Sequence, residues 1–216
     1  DRYGDALRWI DALMVYAPMH IGALGVRATV LRRLGRLDEA LSDARRAVAA
    51  APAHGEALNI LGEVLQAQDK PAEALAAFER AAQSLGFAPE KALVNRGILL
   101  MEQGDRAGAT AAFRQAIALF PRSVSAWFNL ADLHRFSAGD PEIAAMEALL
   151  KPGGVQGASD RTALHFALGK ALLAWQDEAY IDEIITQQGL ARQTSLSLSS
   201  PESLMRDLAR TRTRGF

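Results

Sequence analysis

The amino-acid sequence predicts an all-α fold built from an array of antiparallel helix pairs. The same order of small and large apolar residues returns about every 34 residues, and Gly and Pro punctuate the array at matching places. Hydrophobic residues make up 50% of the chain but aromatic ones only 6%. Because small side chains let helices approach closely, this composition favours helices that bury their apolar faces by stacking on one another.

Two segments carry the repeat most clearly. Residues 55–81 (GEALNILGEVLQAQDKPAEALAAFERA) align with residues 90–116 (EKALVNRGILLMEQGDRAGATAAFRQA). The matched pairs, which fall at helical spacing, are Leu58 and Leu93, Gly62 and Gly97, Leu65 and Leu100, Ala74 and Ala109, Phe78 and Phe113, and Ala81 and Ala116. The pattern also returns in residues 21–47 and, for a first helix, in VSAWFNLADLHRF. Residues 1–20 supply the second half of a unit, so we expect a half repeat there.

The junctions between the predicted helices are repeated as well. The prolines that close units are Pro18, Pro52 and Pro121. Gly35 and Gly104 mark the turn between paired helices, and Asp69 stands where a turn glycine is expected. His20 and His54 follow the unit-closing prolines at equivalent places, which predicts a role in the turn for both.

These positions together resemble the tetratricopeptide repeat (TPR) family, whose pattern runs from Leu-Gly to Ala, Phe and Ala and closes on Pro. The resemblance implies a right-handed superhelical solenoid over residues 1–153, with repeats that start at residues 21, 55, 90 and 124. Arg27 and Arg96 replace a Leu that the family usually buries. The unit from Val124 departs further, since its second helix is displaced and shortened, and we expect an atypical capping unit there.

The family resemblance implies a ligand groove on the concave face, lined by the first helix of each unit. The groove candidates are Arg32, Arg33, Asn59, Glu63, Lys91, Asn95, Ile98, Phe128, Asn129 and Asp132. Asn95 and Asn129 occupy equivalent places, and a carboxamide both donates to and accepts from the backbone of an extended peptide. Alternatively, the two amides are solvated or bind local backbone. The places of a chaperone-type carboxylate clamp hold other residues, so a receptor for chaperone tails is not expected.

The C-terminal part of the chain has two resemblances. The stretches WFNLADLHRFSAGDPEIAAMEALL and DRTALHFALGK resemble the last repeats of bacterial proteins in which TPR units precede a sulfotransferase domain. Residues from about 166 to 216, beginning in ALGKALLA, resemble a piece of the effector-binding domain of the IclR family of bacterial regulators. We therefore expect a loop over 154–161 and a mainly helical segment over 162–216, in which TSLSLS is a short strand or an extended connector.

Catalytic, metal-binding and cofactor-binding patterns are not found in the sequence. There is no cysteine, the four histidines lack metal-ligand spacing, and KPGGVQGAS lacks the ending of a phosphate loop. PRSVSAW vaguely resembles a sulfotransferase phosphosulfate loop, but we assign it to a turn. A net charge of −1 and the lack of a long apolar run predict neither a nucleic-acid nor a membrane partner. We expect a cytoplasmic bacterial protein and, because the chain begins at Asp1 without a Met, a fragment of a longer one.

The sequence therefore predicts a protein–protein interaction scaffold that is not an enzyme and needs no cofactor or metal. Its partner is expected to be a peptide or a helix of another protein, bound in the concave groove. The alternative is the docking portion of a larger bacterial protein, either a TPR-sulfotransferase or a chimera with an IclR-type regulator, whose active domain is absent. The oligomeric state is not predicted.

Overall fold

The computed structural model describes residues 2–84, 89–134, 136, 140–173 and 206. Ten α-helices and no strand are found in these ranges, which confirms the all-α prediction for them. The helices are α1 (Arg2–Tyr16), α2 (Ile21–Arg33), α3 (Leu37–Ala50), α4 (Gly55–Ala67), α5 (Pro71–Ala82), α6 (Pro89–Glu102), α7 (Arg106–Leu119), α8 (Val124–Leu133), α9 (Pro141–Leu150) and α10 (Ala158–Leu173). The TSLSLS stretch and the other elements expected in the tail lie outside the described residues.

The chain divides into two compact units, which we call unit 1 (Asp1–Leu119) and unit 2 (Phe120–Phe216). In unit 1, α2, α4 and α6 are the first helices of successive repeats, and α3, α5 and α7 are the second helices. Each first helix packs on its own second helix, and α4 and α6 also pack on both helices of the repeat before them. This contact between successive first helices brings their side chains within reach of one another.

Within a repeat, the two helices approach closely where a glycine faces a phenylalanine. A Cβ atom on Gly62 would lie 2.5 Å from Cε1 of Phe78, and one on Gly97 would lie 2.5 Å from Cε1 of Phe113. Both phenylalanines are fully buried. The repeated Gly and Phe positions of the sequence are therefore one contact, which sets the spacing of the helix pair.

The turns between first and second helices share one backbone conformation. Gly35 (φ 75°), Gly104 (φ 82°) and Asp69 (φ 57°) all lie in the left-handed region. Asp is among the few non-glycine residues that this region tolerates, because its short side chain bonds locally. Asp69 therefore adopts the turn conformation that the repeat pattern predicts for a glycine.

The two turn histidines cap helices. The Nδ1 atom of His20 accepts a hydrogen bond from the Ala23 amide (3.0 Å), and Nδ1 of His54 accepts one from the Ala57 amide (3.2 Å). Each imidazole satisfies a backbone N–H that has no partner within the first turn of the helix. The predicted turn role of both residues is thereby confirmed.

Arg27 replaces a usually buried Leu, and its positive charge is paired with acidic residues. Its Nη1 lies 2.9 Å from Oδ2 of Asp43 on α3, and its Nε lies 2.7 Å from Oδ1 of Asp11 on α1. Asp43 is itself buried and also pairs with Arg46 at 3.1 Å. Since an unpaired buried charge is strongly destabilising, the departure at Arg27 requires the buried Asp43.

In unit 2, α10 packs against both α8 and α9, and its contact with α8 is the more extensive of the two. The rings of Phe128 and Phe166 stack with their centroids 5.9 Å apart, and Lys170 pairs with Asp132. The helix that contains ALHFALGK therefore packs on α8 and α9 within unit 2. It begins at Ala158, inside the range expected to form a loop, and α9 has 10 residues against 12 to 14 in α3, α5 and α7.

Replacing Phe113 tests this packing. We expect Phe113→Ala to lower the free energy of unfolding by about 3–5 kcal/mol, because it removes a fully buried ring and leaves a cavity beside Gly97. Denaturant melts of the purified variant measure the change. Leu119→Ala is the control, since Leu119 is exposed on the same helix and its loss should have little effect. Equal stability of Phe113→Ala and the wild type would refute the assigned repeat register.

Candidate functional site

Polar side chains from three first helices of unit 1 meet around Glu63. Its Oε2 lies 2.8 Å from Nη2 of Arg32 on α2, and its Oε1 lies 2.7 Å from Nζ of Lys91 on α6. Asn59 donates from Nδ2 to Oε1 of Glu63 at 2.9 Å. Asn95 donates to Oδ1 of Asn59 at 3.0 Å and to Oε1 of Glu63 at 3.3 Å. We call these five residues, all of them among the sequence candidates, the Glu63 network.

The Glu63 network is largely shielded from solvent but open at one side. The Glu63 side chain is 14% exposed and Asn59 is buried, whereas the Lys91 side chain is 59% exposed. Burial alone would raise the pKa of Glu63. The hydrogen bond and charge of Lys91, the charge of Arg32 and the hydrogen bond from Asn59 outweigh burial and lower this pKa below its ordinary value of 4.5. Glu63 is therefore a carboxylate at neutral pH, and the network has one excess positive charge.

Two groups of the Glu63 network remain available to a ligand. Both hydrogen bonds of Asn95 use its Nδ2 atom, and Oδ1 of Asn95 has no hydrogen-bond partner within the described residues. The Lys91 ammonium contacts Glu63 while most of its side chain faces solvent. The network can therefore offer an acceptor and a positively charged donor whose positions are fixed by the helices.

The other sequence candidates lie elsewhere. Arg33 is exposed and Ile98 is half-buried, both on first helices of unit 1. Phe128, Asn129 and Asp132 belong to unit 2, where Phe128 and Asp132 contact α10. Asn129 donates from Nδ2 to the carbonyl of Ser125 in its own helix at 2.7 Å, which is the local bond that the sequence left open as an alternative.

An apolar pocket of about 390 Å³ lies between α2 and α4, and the sequence candidates do not include it. Its lining residues are Ile21, Gly22, Gly25, Val26, Thr29, Val30, His54, Glu56, Ala57 and Ile60. Gly22 and Gly25 are three residues apart and so lie on one face of α2. In the repeat register, Gly22, Gly25, Val26 and Ile60 occupy positions that the family resemblance predicts to face the groove. The polar side chains of the sequence do not indicate these residues. The two glycines of α2 are the sequence feature that could have predicted a pocket there.

One group of side chains in unit 2 has the composition of a cation site. Nε2 of His134 lies 3.8 Å from Oδ2 of Asp140 and 3.6 Å from Oε2 of Glu142. Asp140 precedes α9 and Glu142 lies in its first turn, where the helix dipole favours carboxylates. The dipole accounts for both acids, so the geometry assigns them no further chemistry.

Protonation of Glu63 gives a pH-dependent prediction. Because the pKa of Glu63 in the folded state is below 4.5, its ionised form stabilises the fold above that pH, and this contribution is lost as the pH falls through the folded-state pKa. We expect Glu63→Gln to lower the free energy of unfolding by about 1–3 kcal/mol at neutral pH, with a smaller difference from the wild type below about pH 4.5.

Urea melts of both proteins between neutral pH and about pH 3 measure this difference. Glu79→Gln, on the exposed surface of α5, is the matched control and should change stability little. A wild-type advantage over Glu63→Gln that stays constant, or grows, as the pH falls would contradict the assigned ion pairs.

None of the described helices has the length and apolar character needed to cross a membrane. Among solved structures, the chain is similar to a thermophilic TPR protein of Thermus thermophilus, TTC0263, with 24% identity over 80% of this chain and 91% of that one and a TM-score of 0.59. It is similar to PilW, a type IV pilus biogenesis factor, with 25% identity over 95% of this chain and 90% of that one and a TM-score of 0.56. It is also similar to YrrB, a TPR protein with an unusual peptide-binding site, with 15% identity over 93% of this chain and 91% of that one and a TM-score of 0.51.

No curated protein sequence matches the chain. The model of the bacterial transcriptional regulator IclR C-terminal family matches residues 160–216, in agreement with the resemblance seen in the tail. The tetratricopeptide repeat model matches residues 26–89 and 94–154, which is more than half of the chain. The repeat pattern, the helix pairs and this match lead to one conclusion: the chain belongs to the tetratricopeptide repeat family.

Proposed function

We propose that the first helices of unit 1 bind an extended peptide segment of a partner protein, with the Glu63 network at the centre of the binding surface. The TPR fold is a scaffold for protein interaction, and proteins of this family generally bind protein or peptide partners. The proposed activity is binding without catalysis. The docking-portion alternative is not favoured, because the tetratricopeptide repeat match covers more than half of the chain and the IclR-like match only residues 160–216.

The observation that carries the proposal is the joint use of three successive first helices. Arg32, Glu63 and Lys91 come from α2, α4 and α6, and their ion pairs hold the intervening amides in place. Binding groups that are already ordered lose less conformational freedom when a ligand arrives, which improves affinity. A network that spans three repeats therefore presents a surface prepared for an elongated ligand.

The chemistry of the open side fits a peptide main chain. Oδ1 of Asn95 can accept a hydrogen bond from a backbone N–H, and the exposed Lys91 ammonium can donate to a backbone carbonyl. YrrB, which has the same fold, is described as having an unusual peptide-binding site. The family and the available donor and acceptor both support a peptide ligand.

A library of phage-displayed random dodecapeptides, selected on the purified protein, tests the proposal. We expect selected peptides to bind the wild type and to bind the Lys91→Ala, Asn95→Ala double variant at least about 25-fold more weakly, because each of the two lost groove hydrogen bonds costs about 1–3 kcal/mol. Fluorescence anisotropy with labelled peptides measures the affinity, and thermal melts confirm that the variant is folded.

The matched control is the Lys70→Ala, Gln115→Ala double variant, which removes the same kinds of group outside the first helices. It should bind the selected peptides like the wild type. The proposal would be overturned if no peptide is enriched on the wild type, or if the two double variants bind equally well.

A further inference from the structure

The pocket between α2 and α4 lies on the same first-helix face as the Glu63 network but has the opposite character. Its walls are formed mainly by Ile21, Val26, Val30, Ala57 and Ile60. Val26 is 55% exposed although it lines the pocket, so an apolar group entering the pocket would remove its side chain from water. A volume of about 390 Å³ is enough for a large apolar side chain.

The pocket exists because α2 carries no side chain at two groove positions. A Cβ atom on Gly25 would lie 3.0 Å from Cδ1 of Ile60, so this glycine lets Ile60 form the floor. The equivalent positions of the next first helix hold Glu56 and Asn59, 34 residues further on. Thr29 adds no unmet polar group, because its hydroxyl donates to the Gly25 carbonyl at 3.0 Å.

The rim of the pocket carries one acid and one fixed imidazole. Because Nδ1 of His54 accepts the capping bond from Ala57, the neutral ring carries its proton on Nε2, which is therefore a donor. Glu56 is exposed in the first turn of α4 and lines the pocket. A ligand group next to the apolar cavity thus meets a negative charge, and charge complementarity favours a basic neighbour.

We infer that this pocket takes a large apolar side chain of the bound peptide, and that Glu56 pairs with a Lys or Arg adjacent to that side chain. The inference rests on the proposed function, since the pocket and the Glu63 network share one face of unit 1. It adds a sequence preference to a surface on which Asn95 is proposed to bind the main chain of the peptide. The recognised motif is an apolar residue beside a basic one.

Three synthetic heptapeptides test the motif. The first has the sequence Gly-Ser-Lys-Leu-Lys-Ser-Gly, the second has Ser in place of Leu, and the third has Glu in place of both Lys residues. We expect the first to bind at least about tenfold more tightly than the second, because burial of a leucine side chain contributes about 1.5–3 kcal/mol. It should also bind more tightly than the third, as titrated by fluorescence anisotropy of labelled peptides.

Two substitutions locate this preference in the pocket. Val26→Glu places a charge at the mouth and should abolish the advantage of Leu over Ser, whereas Glu56→Lys should reverse the preference between Lys and Glu. Val15→Glu is the matched control, since Val15 is 77% exposed on α1 and lies outside the pocket, and it should leave binding unchanged. Thermal melts show whether each variant is folded.

The outcomes separate the two proposals. If displayed peptides depend on Lys91 and Asn95 while the three heptapeptides bind alike, the motif is refuted and the proposed function stands. Loss of the leucine advantage in Val15→Glu as well as in Val26→Glu would also refute the pocket. If no displayed peptide depends on Lys91 and Asn95, the proposed function is refuted, and the motif, which rests on it, is refuted with it.

Discussion

The close contact between a glycine of a first helix and a phenylalanine of its second helix is the constraint on which two of the three helix pairs of unit 1 depend. At Gly62 and Phe78, as at Gly97 and Phe113, a methyl group on the glycine would overlap the ring. The contact fixes the spacing of the α4–α5 and α6–α7 pairs, and successive pairs of unit 1 bury apolar surface against one another. Successive first helices are thereby brought into contact, and this is the geometry that the Glu63 network requires.

The Glu63 network couples this packing to the proposed function. A mostly buried carboxylate is stable only when it is paired and hydrogen-bonded, and the partners of Glu63 come from α2, α4 and α6. The groups that offer a donor and an acceptor to a ligand are therefore held by three repeats at once. Arg27 and Asp43 show the same principle between a first and a second helix, where a buried aspartate is paired with a partly buried arginine.

The sequence predicted the fold because the repeat period, the helical spacing of apolar residues and the turn residues all agree. It predicted Asn95 as a groove residue but not its pairing with Asn59, because such contacts depend on how far each helix is rotated against its neighbour. Asn129 donates to the Ser125 carbonyl of its own helix, and the sequence could not decide between this local bond and a ligand. The sequence analysis did not predict the pocket, because Gly22 and Gly25 create it by having no side chain.

The central claim is that ligands bind the first-helix face of unit 1. Methyl NMR spectra of isotope-labelled protein, titrated with a peptide selected on it, test this claim most directly. Ile60 and Ile98 report on first helices, whereas Leu75 and Ile117 report on second helices. The account predicts that the signals of Ile60 and Ile98 shift in proportion to peptide bound while those of Leu75 and Ile117 stay in place. Shifts confined to Leu75 and Ile117 would contradict it.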